Sequence, residues 1–383
     1  MEDKISKNQG VMTTNVNNST VTADMLREWL ENGEPVFVLD IRTADQRKEW
    51  QIPGSHYFDA YKRLNEGDYA VMDEIDIPAK TKVVTVCAAG RTSRIASELL
   101  KQKGIEAYSL EGGMKKWSMA WNTAVRKFND FEVLQVRRTG KGCLSYIISS
   151  KNEAVLLDAS LPPDVYQHLI RKHGLTLKYV IETHIHADHL SRSKMLAEFY
   201  NVPLFLPVPN KVQFDSIAAT TDSVFNIGNI SIRTMPTPGH TIESVSYYIG
   251  NEAIFTGDTL FIDGVGRPDL KAENNNETRV RASLLYKSLH EIVSLPGEMS
   301  IFPAHTSKAI PFDNNIITAS INEVKEKIKL LHAREEDFVD GLVQKIPATP
   351  PNYMSIVENN LSGDFSNVDA VELEAGANRC AIS

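Results

Sequence analysis

The segment "THIHADH" puts four side chains of metal-ligand type, His184, His186, Asp188 and His189, within six consecutive residues. Imidazole and carboxylate together suit Zn²⁺ or Fe²⁺, whereas a hard cation served by oxygen alone would not need so many histidines. Three more such residues stand apart, each at what reads as the end of a strand: His240 in "TPGH", Asp258 in "FTGD" and His305 in "FPAH". Gly239 and Gly257 directly precede two of them and permit tight turns close to an ion. A lone histidine is ordinarily a solvated or hydrogen-bonded side chain. A dense cluster with three distant partners is expected to be a mixed nitrogen and oxygen metal site.

Cys87 is the second reactive candidate. It follows the apolar run "KVVTV" and opens the loop Cys87-Ala88-Ala89-Gly90-Arg91-Thr92 ahead of the helix "SRIASELL". Backbone N–H groups at a helix N-terminus, with Arg91 or Arg94, favour a thiolate and would stabilise an anionic persulfide. The competing reading is an inert core cysteine. Cys143, in the predicted strand "CLSYII", is expected to be ordinary core. Cys380 is expected in a mobile tail, relaying sulfur only if that tail reaches an active site.

The elements that must position these residues fall into two patterns. From Thr22, "TADMLREWLENG" reads as a capped amphipathic helix stopped by Gly33. The strands "EPVFVLDIR", "KVVTVCAAG" and "IEAYSLEGG" alternate with the helix "RTSRIASELLKQKG", which implies a small α/β domain with a mostly parallel sheet. Near Trp121, "WNTAVRKFND" loses periodicity and reads as a linker. Beyond it come short strands ("FEVLQVRR", "CLSYIISS", "EAVLLDAS"), a helix near "DVYQHLIRKHG" and the strand "LKYVIETH". The strands "ISIRTM", "SVSYYIG" and "EAIFTGD" precede a long helix around "ETRVRASLLYKSLHEIV". Two strand blocks covered by helices imply a four-layer sandwich. The stretch from about Ile346 is rich in Pro, Asn and Gly, and is expected to wrap over the surface or stay mobile.

Composition narrows the function. A chain of 383 residues with a net charge of -8 has no basic stripe for phosphate backbones, so nucleic acid is not expected as a partner. Three cysteines, an odd and scattered set, fit a reducing cytoplasm. No apolar run in the first twenty residues could serve as a signal core, and no later stretch reaches membrane-spanning length. Cys380-Ala381-Ile382-Ser383 formally matches a prenylation box. It lacks an upstream polybasic stretch and is taken as coincidence.

"THIHADH", "TPGH", "FTGD" and "PAH" stand in the order and approximate spacing of the metallo-β-lactamase superfamily, over roughly residues 130 to 345. Within that span "GHTIESVSYYIGNEAIFTGDTLFIDGVGRPDL" resembles the persulfide dioxygenase branch, with its GR-x-D segment as Gly266-Arg267-Pro268-Asp269. The resemblance implies one Fe(II) held by His184, His240 and Asp258, with three positions open. His186, Asp188, His189 and His305 would orient those ligands or position substrate and water, Asp188 in a catalytic role. Arg267 would clamp a carboxylate of a glutathione-like thiol, or else form a structural salt bridge with Asp269. Glyoxalase II-like hydrolases use the same residues for two Zn(II) ions, one on His184, His186 and His240, the other on Asp188, His189 and His305. Asp258 would bridge them, and a metal-bound hydroxide would attack a thioester. Ala187 resembles the dioxygenase form of the loop, while "HTSKAI" lacks the Tyr that the dioxygenases carry after the "PAH" histidine.

The N-terminal segment "VLDIRTADQRKEWQIPGSHY" and the closing "LEGGMKKW" resemble rhodanese signatures. Together with Cys87 they imply a sulfur-carrying nucleophile, substrate contacts from Ala88, Ala89, Gly90, Arg91 and Thr92, and structural roles for Asp40, Arg42 and the Pro53-Gly54-Ser55-His56 turn. Thr92 departs from the Arg usual there.

The expected layout is a disordered tail over 1–19, a rhodanese-like parallel-sheet domain over 20–122 and a linker over 123–130. An αββα metallo-β-lactamase sandwich over 131–345 and an extension over 346–383 follow. The expected activity is iron-dependent oxidation of glutathione persulfide or a similar persulfide to sulfite, with sulfur transfer through Cys87. The alternatives are a dinuclear zinc thioester hydrolase, and a rhodanese domain that serves as a binding module. Expected partners are thiol persulfides, thiosulfate or sulfite and a second copy in a homodimer, without nucleic acid or membrane.

Overall fold

A computed structural model describes residues 19–270, 272–350, 352–376 and 380–382. The tail expected over 1–19 lies outside the described residues up to residue 18. The chain divides into two compact units, one reaching Ala44 and including Ser55–Met114, the other formed by Asp45–Gly54 and the chain from Lys115 onward.

In the first unit β1 (Thr20–Val21), β2 (Val36–Asp40), β3 (His56–Tyr57), β4 (Lys82–Val86) and β5 (Ala107–Leu110) form one sheet in the order β1-β5-β4-β2-β3. Every pairing is parallel. Val83, Val84 and Val86 of β4 are all buried, as expected for a parallel strand covered on both faces. The helix Thr92–Gln102 buries Ala96 and Leu100, one turn apart.

In the second unit β6 (Asn122–Lys127), β7 (Glu132–Arg137), β8 (Leu144–Ser150), β9 (Glu153–Leu157), β10 (Thr176–Ile181), β11 (Leu204–Leu206) and β12 (Ile217–Ala218) form a seven-stranded sheet in reverse numerical order. A six-stranded sheet runs β13 (Val224–Ile227), β14 (Ile230–Pro236), β15 (Val245–Ile249), β16 (Ala253–Gly257), then β18 (Ser300–Pro303) and β19 (Ala319–Ser320), with β17 (Val265–Gly266) outside it. Alternation along the strands sorts side chains between layers. Tyr146 and Ile148 of β8 join Phe255, Tyr247 and Phe302 in one core, while Ile147 joins Tyr166 and Leu169 of the helix Pro163–Lys172 in another. The helices Asn275–Val293 and Glu335–Gln344 bury Leu285, Leu289 and Phe338 with Ile254 and Ile301 of the second sheet. The order of layers is therefore αββα, as expected.

Two expectations are corrected. The segment 123–130, read as a linker, contains most of β6, which pairs antiparallel with β7 along its whole length. Its periodicity is masked because it is an edge strand whose polar positions face outward. The described part of the stretch after Ile346 is built in rather than loosely laid. It holds the helices Tyr353–Ser362 and Ala370–Leu373 and ends in β20 (Ala381–Ile382), which pairs antiparallel with β17. Among the described residues no helix is long and apolar enough to cross a membrane.

Candidate functional site

The ligand-type residues all follow strand ends. β10 ends at Ile181, before His184, His186, Asp188 and His189; β14 ends at Pro236, before His240; β16 ends on Gly257, before Asp258; β18 ends at Pro303, before His305. A bridge between Cys143 and His305 ties the two sheets there. The glycines are required by space. A Cβ on Gly257, at φ +54°, would lie 2.8 Å from the Thr183 side chain, and one on Gly239 would lie 2.4 Å from Leu285 Cα.

His184, His240 and Asp258 converge, each offering a ligand atom within 4.8 Å of the other two. Nε2 of His184 and of His240 lie 3.8 and 3.5 Å from Asp258 Oδ2. His186 does not join this set; it groups with Asp158 and Glu182, while Asp188, His189 and His305 group with Cys143.

Which nitrogen of each imidazole is bare follows from what the other one binds. His240 Nδ1 donates to the Arg267 carbonyl at 2.8 Å. His305 Nδ1 donates to Asp258 Oδ1 at 2.5 Å, His186 Nε2 to Asp158 Oδ1 at 3.2 Å, and His189 Nδ1 to Asp188 Oδ1 at 3.1 Å. The Thr183 hydroxyl donates to Asp158 Oδ2 at 2.9 Å, so its oxygen is left to accept from His184 Nδ1, also at 2.9 Å. The opposite nitrogens of His184, His186, His189 and His305, together with Asp258 Oδ2, are buried without a hydrogen bond. His305 Nε2 stands 3.0 Å from Asp188 Oδ2 but off the hydrogen-bond axis. Each bare buried polar atom costs on the order of 1–3 kcal/mol. An ion would remove that cost, and imidazole nitrogens with a carboxylate oxygen fit Zn²⁺ or Fe²⁺.

Burial, reinforced by the neighbouring His186, pushes His184 well below the usual histidine range. It also lowers His240 despite Asp258, so both present lone pairs at neutral pH. Around Asp188 the balance reverses. Burial disfavours the charged rings, yet Asp188 raises His189 to about 10 and His305 well above its ordinary value. Burial and Asp188 push the Cys143 thiol up, but His305 and His189 outweigh them and bring it to about 7.

Several residues of this centre escaped the sequence reading. Asp158 holds Thr183 through both carboxylate oxygens and sits at φ +54°, an uncommon conformation for a non-glycine residue. Its only signal was an apolar run ending in Asp, "VLLDAS". Glu182 accepts hydrogen bonds from Ser191 and Ser193. Cys143 is buried as expected, but its neighbours are polar and its Sγ lies 3.3 Å from Asp188 Oδ2. Asn360 Nδ2 donates to the carbonyls of His186 and His189, both at 2.9 Å. Glu374, fully buried, pairs with Arg138 and Arg192.

Two site expectations change. Arg267, expected to clamp substrate, is fully buried and gripped by both Asp269 oxygens and the carbonyls of Pro347 and Ala348, the structural alternative. Cys380, expected in a mobile tail, is 2% exposed, with Sγ within 4.8 Å of Asp258 and His305 ligand atoms. The register of β17 with β20 holds it there.

In the first unit Cys87 lies at the end of β4, its Sγ accepting from Gly90 N at 3.1 Å and from the Ser93 hydroxyl at 3.2 Å. Ala88 and Ala89 are half-buried, Gly90 and Thr92 are buried, and Arg91 and Arg94 are exposed. Asp40 and Arg42 form a buried two-point pair, as expected of structural residues.

Residues 138–305 match the metallo-beta-lactamase superfamily model, and residues 22–120 match the rhodanese-like domain. The hydroxyacylglutathione hydrolase of Francisella tularensis subsp. novicida is 33% identical over 162 residues, 42% of this chain and 61% of that protein. Glyoxylase B2 of Dictyostelium discoideum is 32% identical over 158 residues, 36% of this chain and 52% of that protein. The chain thus spans less than two thirds of the length of these curated relatives. Among solved structures, the metallo-beta-lactamase from Staphylococcus aureus subsp. aureus COL is similar in fold, with a TM-score of 0.57 and 24% identity over 62% of this chain and 74% of that one. ETHE1 from Myxococcus xanthus aligns with a TM-score of 0.53 and 27% identity, covering 60% of this chain and 98% of that one.

Proposed function

We propose that this chain, a rhodanese-like domain (22–120) followed by a metallo-β-lactamase domain (138–305), is an iron-dependent dioxygenase of low-molecular-weight thiol persulfides such as glutathione persulfide. The observation that carries the reading is the set His184, His240 and Asp258, which gathers without His186. Two imidazoles and one carboxylate hold an ion by one face and leave three positions for reactants. Iron there would supply a centre that activates O₂ beside substrate sulfur. The chain's own residues do the rest. Asp158, through Thr183, and the Arg267 carbonyl orient the imidazoles of His184 and His240. Burial of the set excludes bulk water. His305, bonded to Asp258 through Nδ1, orients that carboxylate. The overall reaction converts R–S–SH, O₂ and H₂O to RSH, sulfite and two protons.

Cys87 supplies the companion step in this reading. Its thiolate takes the outer sulfur of thiosulfate, sulfite leaves, and the Cys87 persulfide passes that sulfur to a thiol. The Gly90 N–H and Ser93 hydroxyl stabilise the anionic forms. A cytoplasmic setting and a homodimer belong to the same reading.

A second reading, a dinuclear zinc hydrolase of glutathione thioesters, is favoured by the bare nitrogens of His186, His189 and His305 and by the hydroxyacylglutathione hydrolase relatives. Metal content of protein purified without added metal, with O₂ uptake on glutathione persulfide, tests the first. No uptake by iron-loaded protein, alongside rapid thioester hydrolysis by zinc-loaded protein, would replace it with the second.

A further inference from the structure

The motif left over from the sequence is the terminal "CAIS", and its cysteine lies inside the metal centre. Cys380 brings Sγ within 4.8 Å of ligand atoms of Asp258 and His305. Asp258 Oδ2 and His305 Nε2, on the two residues it groups with, are buried without hydrogen bonds. No disulfide engages the thiol.

Its position is fixed by backbone pairing on its C-terminal side. Val265 pairs with Ile382 and Gly266 with Ala381, and Arg267 N donates to the Cys380 carbonyl at 3.0 Å. The adjoining Arg267 carbonyl holds His240, so this pairing and the ligand loop share one backbone. Upstream, Glu374 pairs with Arg138 and Arg192 and accepts from Leu190 N. Lys141 Nζ reaches the carbonyls of Glu374 at 2.7 Å and Gly376 at 3.2 Å. A thiol placed against a carboxylate and an imidazole that each keep one bare atom has the chemistry of a ligand, since thiolate suits Zn²⁺ and Fe²⁺.

We propose that Cys380 is a thiolate ligand of the ion held by His184, His240 and Asp258, delivered by a strap made of the helices Tyr353–Ser362 and Ala370–Leu373 and of β20. The inference rests on the metal reading above, whichever ion is bound. On loading, the S–H proton is released to solvent and sulfur takes one of the positions outside the two-histidine, one-carboxylate face. An external thiol or persulfide must then displace Cys380, and the strap with it, before its own sulfur reaches the metal. A buried Cys380 is also out of reach of a prenyl group.

The full chain loaded with Co(II) tests this directly. Thiolate coordination gives a near-ultraviolet sulfur-to-cobalt charge-transfer band. The band should be present in wild type, lost in Cys380→Ser and kept in Cys143→Ser; loss in Cys143→Ser with retention in Cys380→Ser overturns the assignment. X-ray absorption at the zinc edge of wild type, which needs no variant, should show one sulfur at about 2.3 Å. A shell of nitrogen and oxygen alone overturns the Cys380 assignment and leaves the metal reading standing. Protein that takes up no metal at all sinks the metal reading instead. Alkylation of Cys380 by iodoacetamide, read by mass spectrometry, should be at least about tenfold slower in the loaded than in the chelated protein, and equal rates contradict the proposal.

Discussion

Replacing Glu374 with Gln should unlatch the strap without unfolding the sandwich. The carboxylate is fully buried. Oε2 lies 2.5 Å from Arg138 Nη1, and Oε1 lies 2.9 Å from Arg192 Nη2 and accepts from Leu190 N at 3.1 Å. An exposed pair of this kind contributes at most about 1 kcal/mol. Here removal of the charge leaves two guanidinium groups buried without their counter-ion, and breaking such a buried pair costs roughly 3–5 kcal/mol. Gln keeps the shape and the Leu190 contact, so the lower end, about 3 kcal/mol, applies. At about 1.4 kcal/mol per tenfold, strap opening becomes roughly a hundred times more frequent. The reporter is the Arg267 amide, bonded to the Cys380 carbonyl. Its hydrogen exchange should accelerate by about that factor, while amides in the interior of β9 stay at wild-type rates. Unchanged exchange at Arg267 would refute the latch, and equal acceleration in β9 would show that Glu374 supports the whole fold instead.

The same carboxylate predicts a pH dependence. Burial alone would raise Glu374, but Arg138 and Arg192 outweigh it and hold it below the usual value. A lowered carboxyl stabilises the folded state fully above its unfolded pKa of about 4.3 and loses that contribution as pH falls below it. The stability gap between wild type and Glu374→Gln should therefore be constant above about pH 5 and shrink under further acidification; a gap independent of pH down to 3 contradicts the assignment. Asp158→Asn should weaken metal binding by roughly 10–100-fold with the fold retained, as for other residues that orient metal-binding imidazoles. Competition titration against a chromophoric chelator measures this, and an unchanged affinity removes Asp158 from the account. Cys87→Ser should abolish sulfur transfer from thiosulfate to cyanide while metal content stays at the wild-type level. Residual transfer above one per cent would point to another thiol.

Most of the framework was readable because its signals are local. Thr22 accepts from Met25 N and caps the first helix as its position suggested. Apolar strands ending in Gly-flanked His or Asp announced His240 and Asp258, and the density of "THIHADH" announced the rest. What escaped lacks such periodicity. β6 is an edge strand whose partner lies across a turn. Glu374 and Asn360 look like solvated polar residues until tertiary contacts bury them against Arg138, Arg192 and the carbonyls after His186 and His189. Composition marked the stretch after Ile346 as loose, and it was overridden by one ion-pair cluster and one strand pairing. Arg267 carried two readings, a substrate clamp and a structural pair with Asp269, and the structure takes the second, because spacing alone cannot tell one from the other.

The latch also imposes an order on assembly. His184, His240, Asp258 and His305 all precede Asn360, Glu374 and Cys380 in the chain. A ribosome therefore releases His184, His240, Asp258 and His305 before it releases Glu374 and Cys380. With Cys380 as the proposed ligand, an ion that enters during this interval meets His184, His240 and Asp258 first and gains its sulfur last.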